Sequence, residues 1–290
     1  MASQRKREAF DRIVDQQRAW ARRHNIDVGP DDRLSSPEQN CPWLSSTMRV
    51  AYGGAGGHEL EAEGGRPPKI CSLYSSAALV CNVFGALEHT PNAIARLLGC
   101  GGPVSGVWFE RELRTILRGT GPTPDLLLEP SPTLAWAVES KFSEPFNHGE
   151  KTDQAFTDSY FAKGEDLWRG LTGCRQMAER IRDRDPEFSF VHLEAPQLIK
   201  HALRLRRWYS DGQLILLRFD AGTEEDKAYA SEIDRFSSHI DAGLGFRSIT
   251  YQQVFARLEK EPAADPEHLA RSASVAGRTG GAQKRRSASA

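Results

Sequence analysis

The sequence predicts an α/β fold in which a mixed central sheet is flanked by helices. Short apolar runs of strand length, Leu126 to Leu128, Leu134 to Phe142, Leu214 to Phe219 and Phe246 to Thr250, are set among longer segments of helical period. The first two runs are joined by a turn rich in Pro and Ser, Glu129 to Thr133, and read as a β-hairpin. At 290 residues and 39% hydrophobic content, the chain can bury one sizeable core. Its polar ends read as extensions of that core.

In chain order, Gln4 to Arg23 reads as an amphipathic helix with Phe10, Ile13, Val14, Gln17, Trp20 and Ala21 near one stripe. Residues 27–68, rich in Gly, Pro, Ser and acids, read as a long loop excursion. Ser72 to Leu87 is an apolar helix opened by serines that can cap it, too hydrophobic for the surface and expected beneath the sheet. Ala93 to Leu98 continues helical. Val104 to Leu117 is expected to be a helix carrying Glu110 and Glu112. Residues 145–163 are polar and irregular, include His148, and suit a flap. Leu167 to Asp183 reads as a helix, and Pro196 opens another, as proline suits a first turn. On that second helix Gln197, Lys200, His201 and Arg204 are spaced by three and four residues and share a face. Glu224 to Ile240 and Tyr251 to Lys260 complete the helices. Beyond Pro262 the chain is Ala, Ser, Gly, Arg and Pro without periodicity, a disordered composition. The domain expectation is therefore a helical and loop-rich N-terminal extension (1–103), a core (104–261) and a disordered tail (262–290).

Composition excludes several classes. The net charge of −1 does not announce a nucleic-acid binder, although basic clusters stand at Arg5 to Arg7, Arg22-Arg23, Lys200 to Arg207 and Lys284 to Arg286. The sequence carries no apolar run of bilayer length and no signal-peptide pattern after Met1, so a cytoplasmic protein without a membrane partner is expected. Five cysteines, odd in number and never in a CxxC pair, indicate neither a disulfide framework nor a zinc site. GxSxG, GxxxxGK[ST] and HExxH are all missing, which leaves a small-molecule hydrolase or transferase of another α/β fold without support.

The hairpin carries the chemistry. Period-two alternation puts Glu139 and Lys141 on one face of the second strand and Val138 and Ser140 on the other. If the strands pair, Asp125 at the mouth of the first lies beside Glu139, giving two carboxylates and a lysine in a small volume. Pro30-Asp31 and Glu225-Asp226-Lys227 repeat parts of the pattern, but the first lies in a polar loop and the second in a helix.

Pro124-Asp125 followed by Glu139-Ser140-Lys141 resembles the PD-(D/E)xK nuclease superfamily. With SSAALVCNVFGAL and APQLIKHAL, the chain resembles a family of putative restriction endonucleases within it, over roughly residues 40–260. The resemblance implies a restriction-endonuclease-like core and hydrolysis of DNA phosphodiester bonds with Mg²⁺, Mn²⁺ being accepted. Asp125, Glu139, the Ser140 carbonyl and Glu110 would hold the metal. Lys141, as the cation least satisfied by carboxylates, would meet the attacking water or the scissile phosphate, and Gln197 in Gln197-x-x-x-His201 would assist. Glu110 is favoured over Glu112, since two residues on a helix lie about 200° apart. DNA and a second copy of the chain are the expected partners. The alternative is a catalytically silent nucleic-acid-binding or scaffold protein of the same fold.

Overall fold

A computed structural model of the chain describes residues 8–29, 31–54, 58–62, 64–115, 117, 121–146, 156–162 and 167–275. The clusters at Arg5 to Arg7 and Lys284 to Arg286, and His148, lie outside these residues. Five strands, β1 (Gly106–Phe109), β2 (Leu126–Glu129), β3 (Trp136–Lys141), β4 (Gln213–Arg218) and β5 (Arg247–Thr250), form one sheet in that spatial order. β1, β2 and β3 pair antiparallel, whereas β3, β4 and β5 pair parallel. The sheet is therefore mixed, as expected.

Sequence explains which strands sit where. All six residues of β3 are buried, as are Leu126, Leu127 and Leu128 of β2, so the middle of the sheet is covered on both faces. Each fully buried Leu or Val there stabilises the fold by about 1.5–3 kcal/mol. Parallel pairing of β3 with β4 requires a crossover, which includes α7 (Thr172–Arg182) and α8 (Ala195–Trp208). The end of α8 and the start of β4 approach so closely that a Cβ on Gly212 would stand 2.4 Å from Leu205 Cγ. Only glycine fits there.

The two faces of β3 meet different helices. Ser140 Oγ lies 2.7 Å from the Tyr251 hydroxyl of α10 (Tyr251–Leu258), and α4 (Ser76–Phe84) packs on the same strand. Every residue of α4 from Ala77 to Phe84 is buried, which places it beneath the sheet. Glu139 and Lys141 point the other way, toward α8. The helix starts follow the capping rules: Ser75 accepts from the Ala78 N–H at α4, and α9 (Glu224–His239) opens with a Thr223–Asp226 capping box. Glu225-Asp226-Lys227 is thus a helix start, as the sequence implied.

Three expectations are corrected. The excursion over residues 27–68 contains α2 (Pro37–Asn40) and α3 (Ser46–Gly54), anchored by the buried Met48 and Tyr52, which lie four residues apart on one helix face. The helix expected over Val104 to Leu117 is instead β1, followed by a bend at Glu110. The expected tail contains α11 (Pro266–Val275), whose fully buried His268 donates from Nε2 to the Val83 carbonyl at 2.9 Å. Side-chain bonds to the end of α4 hold that segment, so it shows little apolar period. The N-terminal helix is as expected, α1 (Glu8–Arg23), and α5 (Pro91–Leu98) follows α4. All five cysteines are free thiols. No helix among the described residues is long and apolar enough to cross a membrane.

Candidate active site

The ladder register aligns three carboxylates. Phe109 pairs with Leu126, and Leu126 with Val138, so one step further Glu110, Asp125 and Glu139 form a row across β1, β2 and β3. The Glu110 N–H still donates to the Asp125 carbonyl at 3.3 Å. All three side chains line one cavity of about 380 Å³. Glu110 belongs to the site, but from the end of a strand and not from a helix. Its φ is +47°, in the left-handed region, at a cost of about 1–3 kcal/mol. That bend turns Glu112 outward to Arg114 at 3.3 Å, and Glu112 has no part in the cavity.

Lys141 and α8 close the other wall. Lys141 Nζ lies 2.8 Å from Glu139 Oε1, 2.9 Å from Glu194 Oε2 and 2.8 Å from Gln197 Oε1, so all three ammonium donors are used. Lys141 is therefore a well-satisfied cation, contrary to the expectation that it would be the least satisfied. Burial works to lower its pKa, but Glu139, Glu194 and Glu144 overcome that and hold it well above the ordinary value. The balance left open by the sequence falls on the charged side.

The carboxylates divide sharply. Burial opposes ionisation of Glu139, yet Lys141 and His201 win and bring it down to about 2. His201 Nε2 stands 2.8 Å from Glu139 Oε2, at an angle short of hydrogen-bond geometry, and the imidazole is 2% exposed. His201 is thus a buried neighbour of the site. Asp125 is held well above its ordinary value by burial and then by repulsion from Glu139 and Glu110, although its Oδ2 accepts from the Ser140 N–H at 2.7 Å. Burial, with Glu139 and Glu59 nearby, raises Glu110 to about 8 despite the 2.8 Å bond from the Thr123 hydroxyl. These two carboxyls lack the cation that Glu139 has.

The chain matches no family model, no curated protein and no solved structure. Phe219 donates to the Lys141 carbonyl on the β4 side, so strand alternation turns the Ser140 carbonyl toward Asp125. Asp125 and Glu110, neither in an ion pair among the described residues, and that carbonyl are hard oxygen donors on one wall, which fits a hard divalent cation. Among the described residues no group of three or more His, Cys, Asp or Glu side chains is placed to hold a metal ion as the structure stands. Glu139 would have to loosen its contacts with Lys141 and His201 to join one.

Several positions in or beside the cavity escaped the sequence reading. Glu59 and Ser76 reach the cavity from the N-terminal region, and no periodicity marks them. Tyr160 comes from the polar segment after the hairpin, on the short helix α6 (Ser159–Ala162). Glu194 had a readable signal, an acid just before Pro196 at the start of α8, where it complements the helix dipole.

Proposed function

We propose that this chain is a nuclease of the PD-(D/E)xK type with a restriction-endonuclease-like core, hydrolysing DNA phosphodiester bonds with Mg²⁺ or Mn²⁺, in a restriction or defence role. One juxtaposition carries the reading: Asp125 from the mouth of β2, Glu139 and Lys141 from β3, and Gln197 from α8 share a single cavity. Asp125, Glu110, Glu139 and the Ser140 carbonyl would hold the metal. A bound divalent ion supplies an activated water and neutralises charge developing on the phosphoryl group. The ammonium of Lys141, kept charged by its carboxylate neighbours, stabilises negative charge on a phosphoryl oxygen and does not act as the base. Gln197 fixes the direction of that ammonium through its 2.8 Å bond and is neutral, so it does not compete for the metal.

The test is cleavage of plasmid and single-stranded DNA by the parent protein and Asp125→Ala, with Mg²⁺ and with excess chelator. Metal-dependent cutting that the variant loses supports the reading. DNA bound and left intact by the parent would favour the second reading, a catalytically silent nucleic-acid-binding protein of the same fold. The contacts of Lys141 and His201 with both Glu139 oxygens are the observation on that side.

A further inference from the structure

The cavity holds a second cation that neither motif nor mechanism has used. Lys200 lines the same cavity as the carboxylates, and among the described residues it makes no hydrogen bond or ion pair. Its Nζ instead stands 5.6 Å from the ring centre of Phe156 and 5.7 Å from that of Tyr160. Aromatic faces hold an ammonium without neutralising it. Behind it is Arg204, 6% exposed, with Nη1 lacking any hydrogen-bond partner among the described residues. The guanidinium lies against Gly121, where a Cβ would stand 2.0 Å from Nη2, so the loop is shaped around it. Burial and the neighbouring Arg204 both lower the pKa of Lys200, a strain that an anion between them would relieve.

Carboxylates are available in the same cavity, and yet these two cations are paired with none of them. Glu110, Asp125 and Glu139 stand on the strand wall beside Lys141, whereas Lys200 stands on the α8 wall, with Arg204 behind it on the same helix. An anion bound there would satisfy Lys200. Position along α8 says which anion. Gln197 touches Lys141, and Lys200 lies three residues on, about 4.5 Å further along the helix axis. We propose that Lys200, backed by Arg204, binds the phosphate adjoining the scissile one, so that the cavity engages two successive phosphates of one nucleic-acid strand. This rests on the nuclease reading. Lys200 is the binding group, and Arg204 acts through it by keeping that wall positive.

The experiment measures binding of a fluorescent DNA oligomer to the full chain in Ca²⁺, over a range of salt, for the parent, Lys200→Gln and Lys200→Arg. Lys200→Gln should weaken binding about tenfold at 0.1 M salt and reduce the slope of log affinity against log salt by about 0.9, the value for one phosphate contact. Lys200→Arg should keep both within experimental scatter, because it keeps the charge. Equal slopes for the parent and Lys200→Gln overturn the proposal. So does a loss shared by Lys200→Arg, or one accompanied by a fall in melting temperature, since either marks a packing role. Failure of the parent to cut DNA in Mg²⁺ would defeat the nuclease reading and leave this binding comparison standing.

Discussion

On the β3 side of the cavity a buried carboxylate sits between the Lys141 ammonium and the His201 imidazole, whereas on the β1–β2 side two carboxylates sit against each other. Glu139, with Lys141 and His201 within 2.8 Å, is brought down to about 2. Glu110, in the same cross-strand row, is pushed up to about 8. Burial is common to both, so burial does not decide the protonation state. The neighbour does. One half of the site is held in its charged form by the protein's own cations, and the other half is held toward its protonated form by burial and mutual repulsion.

The largest way to break this contrast is to remove its members. Asp125→Ala, Glu139→Ala and Lys141→Ala should each lower single-turnover cleavage by about 10³-fold or more, since groups acting as a unit lose most of their effect together. Full activity in any of the three would remove the case for the site. Stability should then separate the two sides. Glu139→Gln leaves the buried Lys141 ammonium short of a counter-charge and should cost about 3 kcal/mol in urea unfolding at pH 7 with chelator. Asp125→Asn keeps an acceptor for the Ser140 N–H and relieves repulsion, so it should cost less than about 1 kcal/mol. Equal losses would erase the distinction. Gln197→Ala, which touches neither uncompensated carboxyl, should slow cleavage about 10- to 100-fold with metal titration curves unchanged. A fall in metal affinity matching that of Asp125→Ala would reassign it.

Two smaller effects sharpen the comparison. Mg²⁺ should raise the melting temperature of the parent and leave Asp125→Asn and Glu110→Gln little changed, because the ion replaces the missing charge. Calorimetry of the three proteins with and without the ion decides this. In chelator, the folded chain keeps a proton on Glu110 that the unfolded chain has released, from the ordinary value near 4.5 up to about 8. Stability should therefore fall as pH rises through that window, by a few degrees of melting temperature, and Glu110→Gln should flatten the fall. Glu139 works in the opposite sense. Its contribution is complete above about 4.5 and is lost as pH drops toward 2. A melting profile that does not change with Glu110→Gln would contradict the assignment.

The β3 side was legible in the sequence, and the β1 side was not. Glu139, Ser140 and Lys141 follow a strict period of two within a run that has to be a strand, so their faces follow from the pleat. On α8, Gln197 and His201 share a face through the helical repeat, though the sequence offered no sign that His201 would be buried against Glu139. Glu110 was found for a reason that does not hold. Val107, Trp108 and Phe109 are good strand formers, but the run RELRTIL after them has helical composition and hid a four-residue strand. Glu59 had no local signal, because its place in the cavity depends on how an irregular excursion packs. The end of α4 shows the same limit: His268 and Ser272 reach its carbonyls from far along the chain.

The parallel pairing of β3 with β4 has a consequence in time. Lys141 is opposite Arg218 in that register, and the intervening chain includes both α7 and α8. Contacts between distant parts of a chain reward the entropy of loop closure only once the loop has closed. A nascent chain that has emerged as far as Trp208 already contains Glu110, Asp125, Glu139, Lys141 and Gln197, yet β4, on which the crossover docks, has still to be made. The cavity is therefore complete only once β4 has joined the sheet.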